Sequence, residues 1–200
     1  MKTYILIDRS GSMMGSWVEM MGSLKTFMSK LEKGKVHVAC FDSSGSLNYD
    51  VIHNGKRKEW HDEKVLNFSP RGGTPLYDAV GHLNQIILND RQEKAQIVII
   101  TDGFENASQE YSQIGVKNIL KGWEEREFDV IYMGASFDGA YASAASIGIS
   151  AGKTINMTSS ATFSATMDSV ATRGAGYASG TLSGDDELSG DTRKAAGETE

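Results

Sequence analysis

Four short apolar runs punctuate the chain: TYILID over 3–8, VHVACFD over 36–42, QIVIITD over 96–102 and FDVIYMG over 128–134. Each is continuous rather than alternating, which predicts parallel strands covered on both faces. Between them, apolar residues recur with helical spacing. Trp17, Met20, Met21, Leu24, Phe27, Met28 and Leu31 make one face. Leu76, Ala79, Val80, Leu83, Ile86 and Ile87 make a second, and Val116, Ile119, Leu120 and Trp123 a third. Strands alternating with amphipathic helices predict a doubly wound α/β sheet with right-handed crossovers. After Asp42 the order breaks. SSGSLNYDVIHNG follows with no room for a helix, so residues 46–54 should return antiparallel as an edge strand. A shorter strand over 153–156, preceded by a helix in DGAYASAASIG, closes the other edge.

Beyond residue 158 the chain turns to Ser, Thr, Ala and Gly. Phe163, Met167 and Val170 still form a small stripe. The organisation predicted is one α/β domain over 1–157, a docked helix within 158–177, and a flexible acidic tail over 178–200. At 200 residues a single sizeable core is the expectation. A net charge of −6 argues against broad attraction to nucleic acid or an anionic membrane surface. The one basic cluster, Lys56-Arg57-Lys58, reads as a hairpin tip or solvated face. The lone Cys40 lies inside an apolar run and reads as a buried structural thiol. No segment is long and apolar enough to span a bilayer. The first strand starts too close to Met1 for a secretory leader, so the triplets at Asn106 and Asn156 should carry no glycan. The expected location is the cytoplasm.

The candidate chemistry lies where the strands stop. In ILIDRSGSM the first strand runs directly into Asp8, with Ser10 and Ser12 at alternate positions. A carboxylate directly after a buried strand is costly unless something compensates it. Asp102 ends another strand in the same sense, and ligands of open α/β sheets bind beyond the carboxyl ends of strands, where connections diverge. PRGGTPLYDA adds Thr74 after two glycines. Each residue also has a plain structural reading. Serine caps helices, although SWVE over 16–19 is itself a capping box that makes the earlier serines unnecessary. Thr74-Pro75 suits an N-cap followed by a first-turn proline, and Asp102-Gly103 suits a turn. As a set, two carboxylates and three hydroxyls in one crevice suit a hard divalent cation such as Mg²⁺.

DRSGS resembles the DxSxS motif of von Willebrand factor A domains, and over about residues 3 to 156 the chain is similar to a small prokaryotic or phage-type member. That family implies a six-stranded, mostly parallel sheet with one antiparallel edge strand and helices on both faces. It also implies a metal-ion-dependent adhesion site, or MIDAS, in which DxSxS is joined by a threonine and an aspartate from later loops. Matched to this sequence, these are Asp8, Ser10, Ser12, Thr74 and Asp102, holding Mg²⁺ or Mn²⁺. The implied function is non-enzymatic: the metal bridges to an Asp or Glu carboxylate of a partner protein, with self-assembly left open. If phage-encoded, the protein would work in the host cytoplasm.

The rival reading is Mg²⁺-dependent phosphoryl transfer using Asp8. A phosphatase with an aspartyl nucleophile usually carries a second acid two positions on, where Ser10 stands, and no GxxxxGK[ST] loop is present. GSMMG is not the GxSxG elbow of a serine hydrolase. His37, His53, His61 and His82 show no zinc-ligand spacing; His37 in a strand and His82 beside core positions read as structural. Asp78, four residues after Thr74, reads either as a carboxylate approaching the metal loop or, preferably, as a first-turn carboxylate favoured by the helix dipole. Arg9 reads either as an exposed guide for an acidic partner or as a solvated turn residue. Glu105 and Asn106 read either as determinants of partner choice or as a polar loop.

Overall fold

The computed structural model describes residues 1–31, 34–65, 67–135 and 138–198. Its elements in chain order are β1 (Lys2–Asp8), α1 (Trp17–Lys30), β2 (Lys35–Ser43), β3 (Leu47–Lys56), α2 (Leu76–Asp90), β4 (Ala95–Thr101), α3 (Gln113–Glu124), β5 (Asp129–Ala135), α4 (Ala140–Ser146), β6 (Thr154–Met157), α5 (Phe163–Ser179) and α6 (Gly190–Ala195). The six strands form one sheet in the order β3-β2-β1-β4-β5-β6. All neighbours are parallel except β2 and β3, which pair antiparallel. The hairpin between those two turns at Gly45, whose φ of 105° lies where side-chain-bearing residues are strained.

β1 and β4 are buried at every position, which is why their sequences read as unbroken apolar runs. One face of the sheet packs against α1 and α5 through Met20, Leu24, Phe27, Phe163, Met167 and Val170. The other face packs against α2, α3 and α4 through Leu76, Val80, Leu83, Val116, Trp123 and Ala144. Each fully buried large apolar side chain contributes about 2 kcal/mol of burial energy. From β1 the chain crosses to β2 on one side, and from β4 to β5 on the other. The two strands are neighbours, with Ile7 opposite Ile100. The connections therefore diverge between Asp8 and Thr101 and open a crevice there.

The C-terminal segment corrects the expectation of a flexible acidic tail. Leu188 and Ala196 belong to the core on the α1–α5 face. Buried Arg173 donates to the carbonyls of Asp186 (2.5 Å) and Glu187 (3.0 Å), and Leu188 N–H donates to Gly152 O at 2.8 Å. The same guanidinium meets the fully buried Asp129 carboxylate at 2.8 Å. Large apolar residues are scarce here because backbone groups, held by one buried arginine, do much of the fastening. This segment also lies along the outer side of β6. Arg193 donates to Thr154 O (3.2 Å), Glu198 accepts from Asn156 N–H (2.8 Å), and Thr158 N–H donates to Ala196 O (3.0 Å). Thr199 and Glu200, the end of the expected tail, lie outside the described residues.

Candidate metal centre

β1 ends in Asp8, whose side chain is fully buried. Its Oδ1 accepts the Ser10 backbone N–H at 2.7 Å and its Oδ2 accepts the Thr101 hydroxyl at 2.6 Å. Burial pushes the carboxyl up to about 6, with the Thr101 and Ser10 hydrogen bonds opposing the shift and the Asp102 charge adding to it. Asp102, half-buried, is also pushed up by burial, against a stabilising hydrogen bond from Ser12. That bond runs from Ser12 Oγ to Asp102 Oδ1 at 2.7 Å, and Ser10 Oγ lies 3.0 Å from Ser12 Oγ. The two loops beyond β1 and β4 are thus joined by direct contacts among Ser10, Ser12 and Asp102.

Thr74 reaches the same space from a third loop. That loop is pinned at Gly72, where φ is 64° and an added Cβ would lie 1.8 Å from Ser43 O, so only glycine fits. Gly73 exchanges two backbone hydrogen bonds with Ser43, both at 3.1 Å, and Gly11 N–H donates to Gly72 O at 3.0 Å. Thr74 N–H donates to Asn106 Oδ1 (2.8 Å), and Asn106 N–H returns to Thr74 O (3.1 Å). A Cβ added at Gly103 would stand 3.8 Å from Ser12 Oγ and 3.9 Å from Thr74 Oγ1. Both hydroxyls therefore flank one small cradle beside Gly103, kept open by the missing side chain.

Two expectations about helix caps are corrected. Ser16 sits at φ −115°, ψ −6° and makes no side-chain capping bond, because a 3₁₀ turn over Gly11–Gly15 leads into α1. Thr74 is not the N-cap of α2 either; Pro75 occupies that position, without a side-chain capping bond. Ser10 stands at the N-cap of that 3₁₀ turn but makes no side-chain capping bond, and with no hydroxyl of Ser10, Ser12 or Thr74 spent on a cap, all three of the expected set remain at the crevice.

Arg9 meets neither of its sequence-based readings. It is buried, donating Nε–H to Asp42 Oδ2 at 2.7 Å and Nη2–H to Asp50 Oδ2 at 2.5 Å, with a further close Nη2 contact to Asp42. Asp42 also receives Asn48 (2.6 Å) and Arg71 (3.2 Å). Arg71 N–H in turn donates to Arg9 O at 2.8 Å. This network locks the turn between Asp8 and Ser10 against β2, β3 and the Thr74 loop. Asp78 is more than a first-turn carboxylate: buried, it accepts the backbone N–H groups of Gln109, Glu110 and Tyr111 at 2.8–2.9 Å. Glu105 accepts from Ala107, Ser108 and Tyr77 at 2.7–3.0 Å. Glu105 and Asn106 hold the loop that carries Asp102 onto the start of α2.

Thr101 and Asp42 are supporting residues that sequence reasoning passed over, and Asp78 is one whose role it named only in part. The signal for Thr101 was available: aligning β1 with β4 places it beside Asp8. Asp42 and Asp78 act across distances in the chain that no local pattern encodes. The histidines stand apart from the crevice. His37 Nε2 lies 3.0 Å from the Tyr49 hydroxyl and His53 Nδ1 lies 2.9 Å from Lys64 Nζ. His82, beside the core positions Gly81 and Leu83 as expected, is itself exposed, its ring 4.4 Å from that of Tyr49. The basic cluster is not simply solvated, since Arg57 donates to Met28 O (2.7 Å) at the end of α1. Among the described residues no group of three or more His, Cys, Asp or Glu side chains is arranged to hold a metal. The crevice instead offers two carboxylates and three hydroxyls, an all-oxygen set suited to a hard cation. Among the described residues, no helix is long and apolar enough to cross a membrane.

Comparison with known proteins gives the fold an independent frame. The pilus adhesin SpaC of Lactobacillus rhamnosus GG superposes with a TM-score of 0.71 at 13% identity, over 86% of this chain and 29% of that one. A von Willebrand factor type A protein from Catenulispora acidiphila gives 0.65 at 15% identity, over 88% and 42%. Proximal thread matrix protein 1 from the mussel byssus, in a structure with a zinc-occupied MIDAS motif, gives 0.68 at 13% identity, over 86% and 45%. At such identities the likeness is one of fold, and this chain spans less than half the length of each. No curated protein matches it. Residues 3–105, just over half of the sequence, match the family model described as the von Willebrand factor type A domain, and they carry β1 through β4 with all five crevice residues. The chain therefore belongs to the von Willebrand factor type A domain family.

Proposed function

We propose that this chain is a divalent-metal-dependent protein-recognition module. Asp8, Ser10, Ser12, Thr74 and Asp102 hold Mg²⁺ or Mn²⁺, and the partner contributes an Asp or Glu side chain. The observation that carries the reading is the convergence of Ser12, Asp102 and Thr74 on the open space beside Gly103, reached from three separate loops. When bound, the ion supplies a hard electrophilic centre that two protein carboxylates only about neutralise, leaving it attractive to an external carboxylate oxygen. The chain's own residues do the rest. Thr101 and the Ser10 N–H fix both oxygens of Asp8, and Ser12 orients Asp102. The Arg9–Asp42 pair and Asp78 keep the three loops in register. The relatives lend support: a pilus adhesin shares the fold, and a mussel byssal protein has a structure with zinc in its MIDAS motif.

Calorimetric titration with MgCl₂ and MnCl₂ tests the site. One ion per chain should bind, and Asp8→Ala or Asp102→Ala should abolish binding. Access for a carboxylate is read from acetate proton relaxation, which the Mn²⁺-loaded protein should enhance beyond free Mn²⁺. Wild-type affinity in Asp8→Ala, or acetate relaxation no greater than free Mn²⁺ gives, overturns the proposal. Mg²⁺-dependent turnover of p-nitrophenyl phosphate, lost in Asp8→Asn, would instead establish the phosphoryl-transfer reading. Sedimentation in Mg²⁺ and in chelator shows whether a second copy supplies the carboxylate.

A further inference from the structure

The exposed large apolar side chains are unevenly placed. Met14 is 66% exposed, Val18 77%, Phe104 54% and Ile114 72%. Met14 lies in the 3₁₀ turn that begins at Gly11, two residues beyond Ser12, and Val18 lies in the first turn of α1. Phe104 follows Asp102 by two residues, and Ile114 is in the first turn of α3. All four sit on segments leaving the carboxyl ends of β1 and β4, the end at which the candidate metal centre lies. The Ser12–Asp102 hydrogen bond clamps the Met14 and Phe104 loops together. A single exposed apolar residue is ordinary, but several grouped around one polar centre mark an interaction surface. The 3₁₀ turn sharpens the point: it sends Met13 fully into the core and leaves its neighbour Met14 in solvent.

Charge gives the second half of the argument. From Ser10 to Val18 the chain carries no ionisable side chain, and neither do Gly103 and Phe104. Arg9, which precedes this run, is buried against Asp42 and Asp50. Along the β1 and β4 loops the border of the crevice is therefore apolar and uncharged, around a centre that attracts one carboxylate; the third loop adds Arg71, half exposed and already paired to Asp42 and Asp50. A partner with several adjacent acids would have to desolvate the extra charges against methionine, valine and phenylalanine, with Arg71 of the third loop already committed to Asp42 and Asp50. We infer that the Met14, Val18 and Phe104 side chains select a partner segment in which a single Asp or Glu is flanked on both sides by large apolar residues. This inference rests on the metal-dependent reading above and adds the identity of what surrounds the carboxylate.

The test is selection of phage-displayed random peptides on the immobilised full chain, in MgCl₂ and in EDTA. The expected result is Mg²⁺-dependent enrichment of one acidic residue bracketed by Leu, Ile, Met, Phe or Trp. A synthetic peptide of the selected sequence should then bind Met14→Ser or Phe104→Ser about tenfold more weakly than wild type. Mg²⁺ affinity and melting temperature should stay unchanged in both variants. Mg²⁺-dependent enrichment of acidic residues with polar or acidic neighbours overturns this inference and leaves the metal reading standing. Undiminished peptide affinity in both serine variants does the same. Absence of any Mg²⁺-dependent acidic enrichment overturns both.

Discussion

Replacing Asp8 with asparagine separates two consequences of one buried carboxylate. In the metal-free protein, burial raises its pKa from 3.8 to about 6. An acid whose folded-state pKa is raised stabilises the fold below its unfolded pKa, and that contribution is lost as pH rises through the folded value. At pH 7 the ionised Asp8 therefore costs the metal-free fold about 3 kcal/mol. Asparagine keeps the shape and removes the charge. Its carbonyl can still accept the Ser10 N–H, and its amide can donate to the Thr101 hydroxyl, which then turns its own proton toward Gly103 O at 3.3 Å. In EDTA the Asp8→Asn variant should thus be more stable than wild type by about 1–3 kcal/mol. For a chain of 200 residues each kcal/mol moves the melting temperature by about 2–4 °C, so the shift is measurable by calorimetry. With Mg²⁺ at about a hundred times its dissociation constant, wild type gains roughly 2.7 kcal/mol and the variant gains nothing. The order of melting temperatures should therefore narrow or reverse when metal is added. A variant that melts below wild type in EDTA would refute the idea that the site stores an unfavourable charge awaiting a cation. A variant with the full Mg²⁺ shift would remove Asp8 from the ligand set.

His37 gives an opposing pH term. Burial lowers its pKa from 6.5 to about 4, the nearby Lys2 charge acting in the same direction, so stability present above pH 6.5 is lost as pH falls through 4, by about 3 kcal/mol in all. In the metal-free wild type this offsets the gain from protonating Asp8, and denaturant unfolding should show Asp8→Asn losing stability more steeply than wild type between pH 6 and 4; parallel profiles would contradict the assignment. Gly72→Ala forces a Cβ into the Ser43 carbonyl at a positive φ and should cost at least about 2 kcal/mol while weakening Mg²⁺ binding, both read by melting in EDTA and in MgCl₂; unchanged stability and affinity would show the loop is not pinned there. Asp129→Ala takes the carboxylate away from buried Arg173 and from Lys153 and should cost about 3 kcal/mol, with faster amide exchange at residues 184–188 by mass spectrometry. Equal exchange in the two proteins would mean that Arg173 does not fasten that segment.

The sheet was legible because its strands are buried on both faces and so appear as unbroken apolar runs. The antiparallel return was legible because SSGS leaves no room for a crossover helix. Asp8, Ser10, Ser12, Thr74 and Asp102 could be named before any coordinates, since a carboxylate closing a buried strand is costly and the later loops carry the complementary groups; the structure brings their loops to one crevice. What escaped reading depends on partners distant in sequence. Arg9 looked solvent-facing until Asp42 and Asp50, 33 and 41 positions away, enclosed it. Asp78 carried no sign that residues 109–111 would fold over it. The C-terminal segment was misjudged because disorder is inferred from missing apolar side chains, whereas here buried guanidinium-to-carbonyl bonds replace much of that anchoring.

The fastening along β6 has a consequence for association. Backbone groups on that margin of the sheet are already taken by Arg193, Ala196 and Glu198, so a foreign strand arriving there meets a surface already paired. Growth of the sheet along that margin would first have to break those bonds, so the C-terminal segment blocks the stacking of copies edge to edge into a continuous ribbon.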